Sequence, residues 1–205
     1  MNELKELLDS YRGWLEILFP LAVFLVLFLF RYGAQFLKAR HLREIAPFIN
    51  GEVVLRPFFP PRIQGAYMGM SYQMSFLAEG RNTPGRLLLK LGFSCPFSME
   101  IRAKGRMQGL SDLLAMGKSH ETGEEAFDSR LAVKVDREKQ SAELYLNNPM
   151  NRETLLSAFL DGFVSVRYDK DGITLTRHGN FLTGEFTADQ ALHNLAMAAR
   201  LVQRF

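Results

Sequence analysis

Cysteine is almost missing from this chain of 205 residues: Cys95 stands alone. No intrachain disulfide can form, so the fold rests on its apolar core, and a lone thiol suits a reducing compartment. Histidine is nearly as scarce. His41, His120, His178 and His193 are scattered, and no spacing brings two of them to one metal ion. A large excess of one charge is missing too. The formal net charge is +3. Residues 1–43 hold six Lys/Arg and four Asp/Glu, and residues 44–205 hold nineteen and eighteen. No basic stripe interleaved with aromatics lies in the larger part, which excludes nucleic acid as the expected partner.

Complete catalytic and ligand-binding motifs are absent as well. Gly117-Lys118-Ser119 ends like a phosphate-binding loop, but Asp112 occupies the position where the first glycine is needed. His120-Glu121-Thr122-Gly123-Glu124 opens like a zinc-protease helix, yet Glu124 stands where the second histidine is required. Asp169-Lys170-Asp171-Gly172 is half of a calcium loop without the closing glutamate, and reads as a hairpin turn. Gly92-Phe93-Ser94-Cys95-Pro96 ends in proline, not the glycine of a nucleophile elbow. The sequence therefore predicts no catalytic residue, no metal site and no cofactor.

What the chain does have is a long apolar run. Residues 17–30 carry no charge, and twelve of the fourteen are Leu, Ile, Val or Phe. On the insertion scale they favour the bilayer by roughly 5 kcal/mol. The reading is a short tail at 1–13, a transmembrane helix at 14–33 and a basic juxtamembrane segment at 34–50. Trp14 and Tyr32 mark the two interfaces, where aromatic belts form. Arg31, Lys38, Arg40 and Arg43 follow the run with no acid among residues 31–43. That asymmetry places the following domain in the cytoplasm, and the cluster suits anionic lipid. Leu4, Leu7, Leu8, Tyr11 and Leu15 recur at helical spacing, so one continuous helix from about residue 3 to the low 40s is expected.

Residues 51–205 read as one α+β domain built on an antiparallel sheet with two main helices. Strands are expected at 52–56, 62–67, 70–78, 86–93 and 97–103, a run that looks like a meander, with 80–85 as a hairpin loop. A short helix is expected at 111–116. Strands at 131–135 and 142–146 precede a helix at 149–160, with Asn148 as its N-cap and Pro149 at its first position. A hairpin at 163–168 and 173–177 leads to a final helix, where Thr187 and Gln190 have capping-box spacing. The second half thus reads as strand-strand-helix twice.

Phe58 and Phe59 lie in the rigid stretch Arg56-Pro57-Phe58-Phe59-Pro60-Pro61-Arg62 and are candidates for a partner-docking loop. Further on, Thr122-Gly123-Glu124-Glu125-Ala126-Phe127-Asp128 precedes a strand. Behind an anchor and a basic linker, this stretch resembles uncharacterised bacterial membrane-anchored proteins, in which a Gly-acid-x-x-Phe-Asp stretch introduces a strand and a Leu-rich helix. The resemblance covers roughly residues 122–160 and brings no activity with it. Physically, Phe127 can anchor the loop in the core while Asp128 takes backbone amides. The expected function is a single-pass, membrane-tethered interaction or scaffold protein with lipid and protein partners. The alternatives are a hydrolase-like enzyme acting at the membrane and an accessory subunit of a membrane complex.

Overall fold

The computed structural model describes residues 2–56, 59–77, 79, 84–104, 119–179, 181 and 186–203; the side chains of 2–17, 31–32, 34–35 and 37–38 lie outside that description. The expected helix at 111–116 and most of the 80–85 loop fall beyond it. Helix α1 (Asn2–Ile45) is one continuous helix with Pro20 inside it, as the leucine spacing predicts. Among the described residues no helix is long and apolar enough to cross a membrane. The described apolar stretch, residues 18–30, gives about 20 Å of helix, short of a hydrocarbon core of about 30 Å.

The end of α1 belongs to the domain. Ala39, Leu42 and Ile45 are buried, at the three-residue spacing that keeps one helical face turned inward over these two turns. A single 3-10 turn (Ala46–Ile49) follows, with Pro47 near its start, and it ends at Asn50 in a left-handed conformation with φ 51°. Asparagine tolerates that conformation better than most residues, and it redirects the chain into the first strand.

One eight-stranded antiparallel sheet follows. Its strands are β1 (Gly51–Val54), β2 (Arg62–Tyr67), β3 (Met70–Leu77), β4 (Arg86–Leu91), β5 (Ser98–Ala103), β6 (Leu131–Arg137), β7 (Phe163–Asp169) and β8 (Gly172–His178). The first four form the expected meander. The fifth does not continue it: the spatial order is β1-β2-β3-β4-β8-β7-β5-β6, so the β7–β8 hairpin is inserted between two sequence neighbours. Strand β5 is separated from β4 because its partners, β6 and β7, are made later.

Period-2 alternation decides which face is buried. Met74, Leu89 and Leu175 lie opposite one another across β3, β4 and β8, and all three are fully buried. Val166, Ile101 and Val133 continue the same apolar layer through β7, β5 and β6. Among the described residues the domain has four further helices: α2 (Glu125–Asp128), α3 (Lys139–Asn147), α4 (Pro149–Leu160) and α5 (Ala188–Val202). Helix α5 packs on β4 and β8, α4 on β7, and α3 against β6.

Two expectations fail here. Residues 142–146 are not a strand but part of α3. Their buried members are Ala142, Tyr145 and Leu146, a helical spacing that a five-residue window cannot separate from alternation. Glu138, at φ 51°, turns the chain out of β6 and into α3. The second half is therefore strand-helix-helix followed by strand-strand-helix, and three substantial helices cover the sheet where two were expected. Both caps behave as their spacing predicts. The Asn148 side chain accepts from the Met150 amide, and Thr187 and Gln190 form a reciprocal capping box.

Close approach at the β1 edge depends on two glycines. A Cβ on Gly65 would lie 2.4 Å from the Asn50 carbonyl oxygen and 2.9 Å from the Gly51 Cα; one on Gly51 would lie 2.2 Å from the Tyr72 hydroxyl. The Tyr72 ring occupies the space they leave, and its hydroxyl donates to the Ile49 carbonyl at 2.9 Å. Burial pushes the Tyr72 phenol up to about 12, so it stays a donor at any physiological pH. This contact ties the sheet to the 3-10 turn that ends α1.

Candidate functional site

Among the described residues the helices pack on the apolar face of the sheet, and the other face carries mostly polar side chains. One row runs across all eight strands in register: Glu52, Gln64, Gln73, Lys90, Thr174, Arg167, Glu100 and Lys134. The next row holds Val54, Arg62, Ser75, Leu88, Thr176, Ser165, Arg102 and Ala132. Among the depressions on this side, two hold most of its charged residues. One of about 820 Å³ is lined by Glu52, Gln64, Gln73, Lys90 and Asp171 among others. The second, about 420 Å³, is lined by Arg86, Leu88, Glu100, Arg102, Ser165, Arg167, Thr174, Thr176 and His178 with Leu77, Ala103 and Val164.

Charge is unevenly satisfied there. Glu100 accepts from Arg102 Nε at 2.6 Å. Lys134 pairs with Asp136 at 3.6 Å, and Glu52 accepts from Gln64 at 2.8 Å. Arg86 and Arg167 have no ion-pair or hydrogen-bond partner among the described residues. Arg167 faces Glu100 across the β5–β7 pair, but that carboxylate is already held by Arg102. With His178 neutral, the smaller depression carries three guanidinium groups against one carboxylate, a formal +2.

Groups with displaced acidities are otherwise explained by packing. Burial holds the Cys95 thiol above its ordinary value, and its Sγ donates to the Phe97 carbonyl at 3.2 Å. Burial likewise pushes Tyr168 well above the usual phenol range. Its hydroxyl meets that of Tyr145 at 2.9 Å, and Tyr145 reaches the Leu201 carbonyl at 3.2 Å. Phe97 lies against both rings, with centroids 5.4 and 5.6 Å away. These groups knit α3, β7 and α5 together.

The Thr122–Asp128 stretch is a structural clasp, with both side chains placed as the sequence suggests. Phe127 is fully buried in the core. The Asp128 carboxylate accepts from the Thr122 amide at 3.0 and 3.1 Å, the Thr122 hydroxyl at 3.0 Å and the Gly123 amide at 2.9 Å. Glu124 pairs with Arg152 of α4. Burial raises the Asp128 pKa, but the bonds from Thr122 and Gly123, with help from Lys104, more than offset this and hold the group below the ordinary carboxylate value. The sign follows from linkage. A depressed folded-state value stabilises the fold above the unfolded value of about 3.9, and the contribution disappears as pH falls through the folded one. Asp128→Asn is expected to cost about 1 kcal/mol at pH 7, solvent screening included. Urea midpoints for the two proteins should converge as pH falls below the ordinary carboxylate value of about 3.9 and through the folded-state one. Parallel curves across that range would show that the carboxylate's charge plays no part.

The membrane-interface candidates are scattered along α1. Trp14, Arg31, Tyr32 and Lys38 belong to the helix, with side chains outside the description. Arg40 and Arg43 are exposed, and the Arg43 guanidinium sits 4.4 Å from the centroid of the Phe36 ring. Phe58 lies outside the described residues. Phe59 is 62% exposed and contributes nothing to the core. Asp169-Lys170-Asp171-Gly172 is the β7–β8 turn, with the Asp171 amide donating to the Asp169 carboxylate at 2.9 Å. Of the near-zinc motif, His120 uses its backbone amide on Val133 of β6, and among the described residues no group of three His, Cys, Asp or Glu could hold a metal ion.

Sequence reasoning missed the open face. Its residues sit at alternate positions of recognisable strands, but nothing in the order of the chain shows that β4, β8, β7 and β5 are neighbours. No protein-family model matches the chain, and neither the curated proteins nor the solved structures contain a match to it.

Proposed function

We propose that this chain is a membrane-tethered binding protein, with α1 as a single-pass anchor and the α+β domain held at the cytoplasmic face. One observation carries the reading. Residues 18–30 expose large apolar side chains in every direction around α1, from Val23 at 41% to Phe30 at 78%. Water does not tolerate a ring of this kind on a soluble helix. The flanking residues 14–17 and 31–33 bring the segment to twenty residues, about 30 Å of helix, the thickness of a hydrocarbon core. Arg31, Lys38, Arg40 and Arg43 then lie on the cytoplasmic side, and the exposed Phe59 loop is available to a protein partner. Membrane attachment is also what the resemblance of residues 122–160 implies.

Helix continuity adds to the case. Ala39 is buried in the domain only nine residues beyond Phe30, about 13 Å along the axis. The domain is therefore held close under the headgroups, which raises its effective concentration toward other membrane components.

The test is extraction of the full-length chain from membranes. It is expected to stay in the pellet through alkaline carbonate and to leave only with detergent. Phe24→Arg with Leu25→Arg should release it, since two central arginines cost about 5–7 kcal/mol against the roughly 5 kcal/mol that favours insertion. Recovery of the unmodified chain in the carbonate supernatant would end the proposal.

A further inference from the structure

We infer that the smaller depression on the open sheet face, beneath Arg86, Arg102 and Arg167, is a binding site for a soluble small molecule bearing a phosphomonoester. The argument rests on charge, donors and shape together, and it is independent of how the chain meets the membrane.

The depression carries a formal +2, and two of its three guanidinium groups are unengaged among the described residues. Arg86 comes from β4 and Arg167 from β7, on either side of β8, whose Thr174 and Thr176 form the floor between them. Adjacent strands are about 4.8 Å apart, which sets the two backbones roughly 10 Å apart across the sheet. Arg86 pairs with His178 and Arg167 with Thr174, so the four-residue offset adds about 13 Å along the strands and the two Cα atoms are roughly 16 Å apart. Arginine side chains are long enough to converge over that floor. Guanidinium forks match a phosphate bidentately, and threonine hydroxyls supply further donors. Glu100 would repel a dianion in isolation, but its charge is taken up by Arg102 at 2.6 Å.

Shape favours a soluble ligand over a lipid. A volume of about 420 Å³ lies within the usual range for small-molecule sites. Charged and hydroxyl side chains outnumber the apolar Leu77, Leu88, Ala103 and Val164 in the lining, which suits a polar ligand better than an acyl chain.

The experiment is calorimetric titration of the full-length chain in detergent micelles with glycerol 3-phosphate, at low and at physiological salt. Saturable one-to-one binding is expected, weakening as salt rises. Arg86→Gln with Arg167→Gln should weaken it at least tenfold while leaving the thermal midpoint within a degree or two. Arg40→Gln with Arg43→Gln, on α1, should leave binding unchanged. Arg86→Lys with Arg167→Lys should restore part of the affinity, since charge is kept and the fork is lost. Absence of saturable binding, or equal affinity in the sheet-face double variant, overturns the assignment. Binding confined to vesicles containing phosphatidic acid, with none to soluble glycerol 3-phosphate, overturns the choice of ligand source.

Discussion

Phe127→Ala is expected to lower the stability of the domain by about 3–5 kcal/mol, the range for truncating a fully buried phenylalanine. Domains of this size are held by about 5–15 kcal/mol in all, so the variant would be marginal, its thermal midpoint down by roughly 10 °C. The location makes the loss larger than the ring alone suggests. Phe127 is the one buried residue of the four-residue α2, which leaves the clasp around Asp128 no other anchor of its own in the core. Phe127→Leu keeps most of the apolar volume and should recover more than half of the loss. Denaturant melts of the three proteins measure this directly. A loss under 1 kcal/mol for the alanine variant would mean that the clasp is held by its hydrogen bonds and by Arg152 instead.

Gly172→Ala should be at least as damaging, for a different reason. Gly172 opens β8 with φ +138°, a region essentially closed to L-residues with a Cβ. A Cβ there would also lie 2.1 Å from the Leu91 carbonyl oxygen and 3.1 Å from the Gly92 Cα. Both neighbours are backbone at the end of β4, so no side chain can swing aside. Backbone strain of about 1–3 kcal/mol and overpacking of about 1–3 kcal/mol add to roughly 3–5 kcal/mol. Lys170→Ala, two residues earlier and exposed, should be nearly silent. Equal melting curves for Gly172→Ala and the parent would show that β4 and β8 are not in contact here.

Much of this architecture was legible in the residues themselves. The leucine spacing of the tail and the unbroken apolar run predict one long helix, and α1 is continuous from Asn2 to Ile45. Alternation finds the meander strands, Asp171-Gly172 finds the hairpin, and Thr187 with Gln190 finds the last helix start. Each of these is a local signal, fixed by contacts within a few residues. The failures are non-local or too short to carry a period. Residues 142–146 span little more than one helical turn, and their register is set by the left-handed Glu138 ahead of them. The order of strands in the sheet, and with it the gathering of Arg86, Arg102 and Arg167, follows from pairings between segments up to about ninety residues apart, as at Arg86 and His178. The clasp lies between these extremes. Phe127 and Asp128 could be assigned roles from side-chain chemistry, but not the loop that Asp128 closes.

The insertion of β7 and β8 between β4 and β5 governs the order in which the molecule can assemble. During synthesis, β1 to β4 emerge as a four-stranded piece whose β4 edge is open, and β5 with β6 as a second piece equally open at β5. The β5 edge has no partner until β7 is complete at residue 169, and the β4 edge none until β8 is complete at residue 178. Before β7 is made, two ladders of unpaired amides and carbonyls are exposed at once, the arrangement most prone to pairing with a neighbouring chain. The last quarter of the sequence is therefore the wedge that joins two halves, and a nascent chain halted before it is the species from which aggregates of this protein would grow.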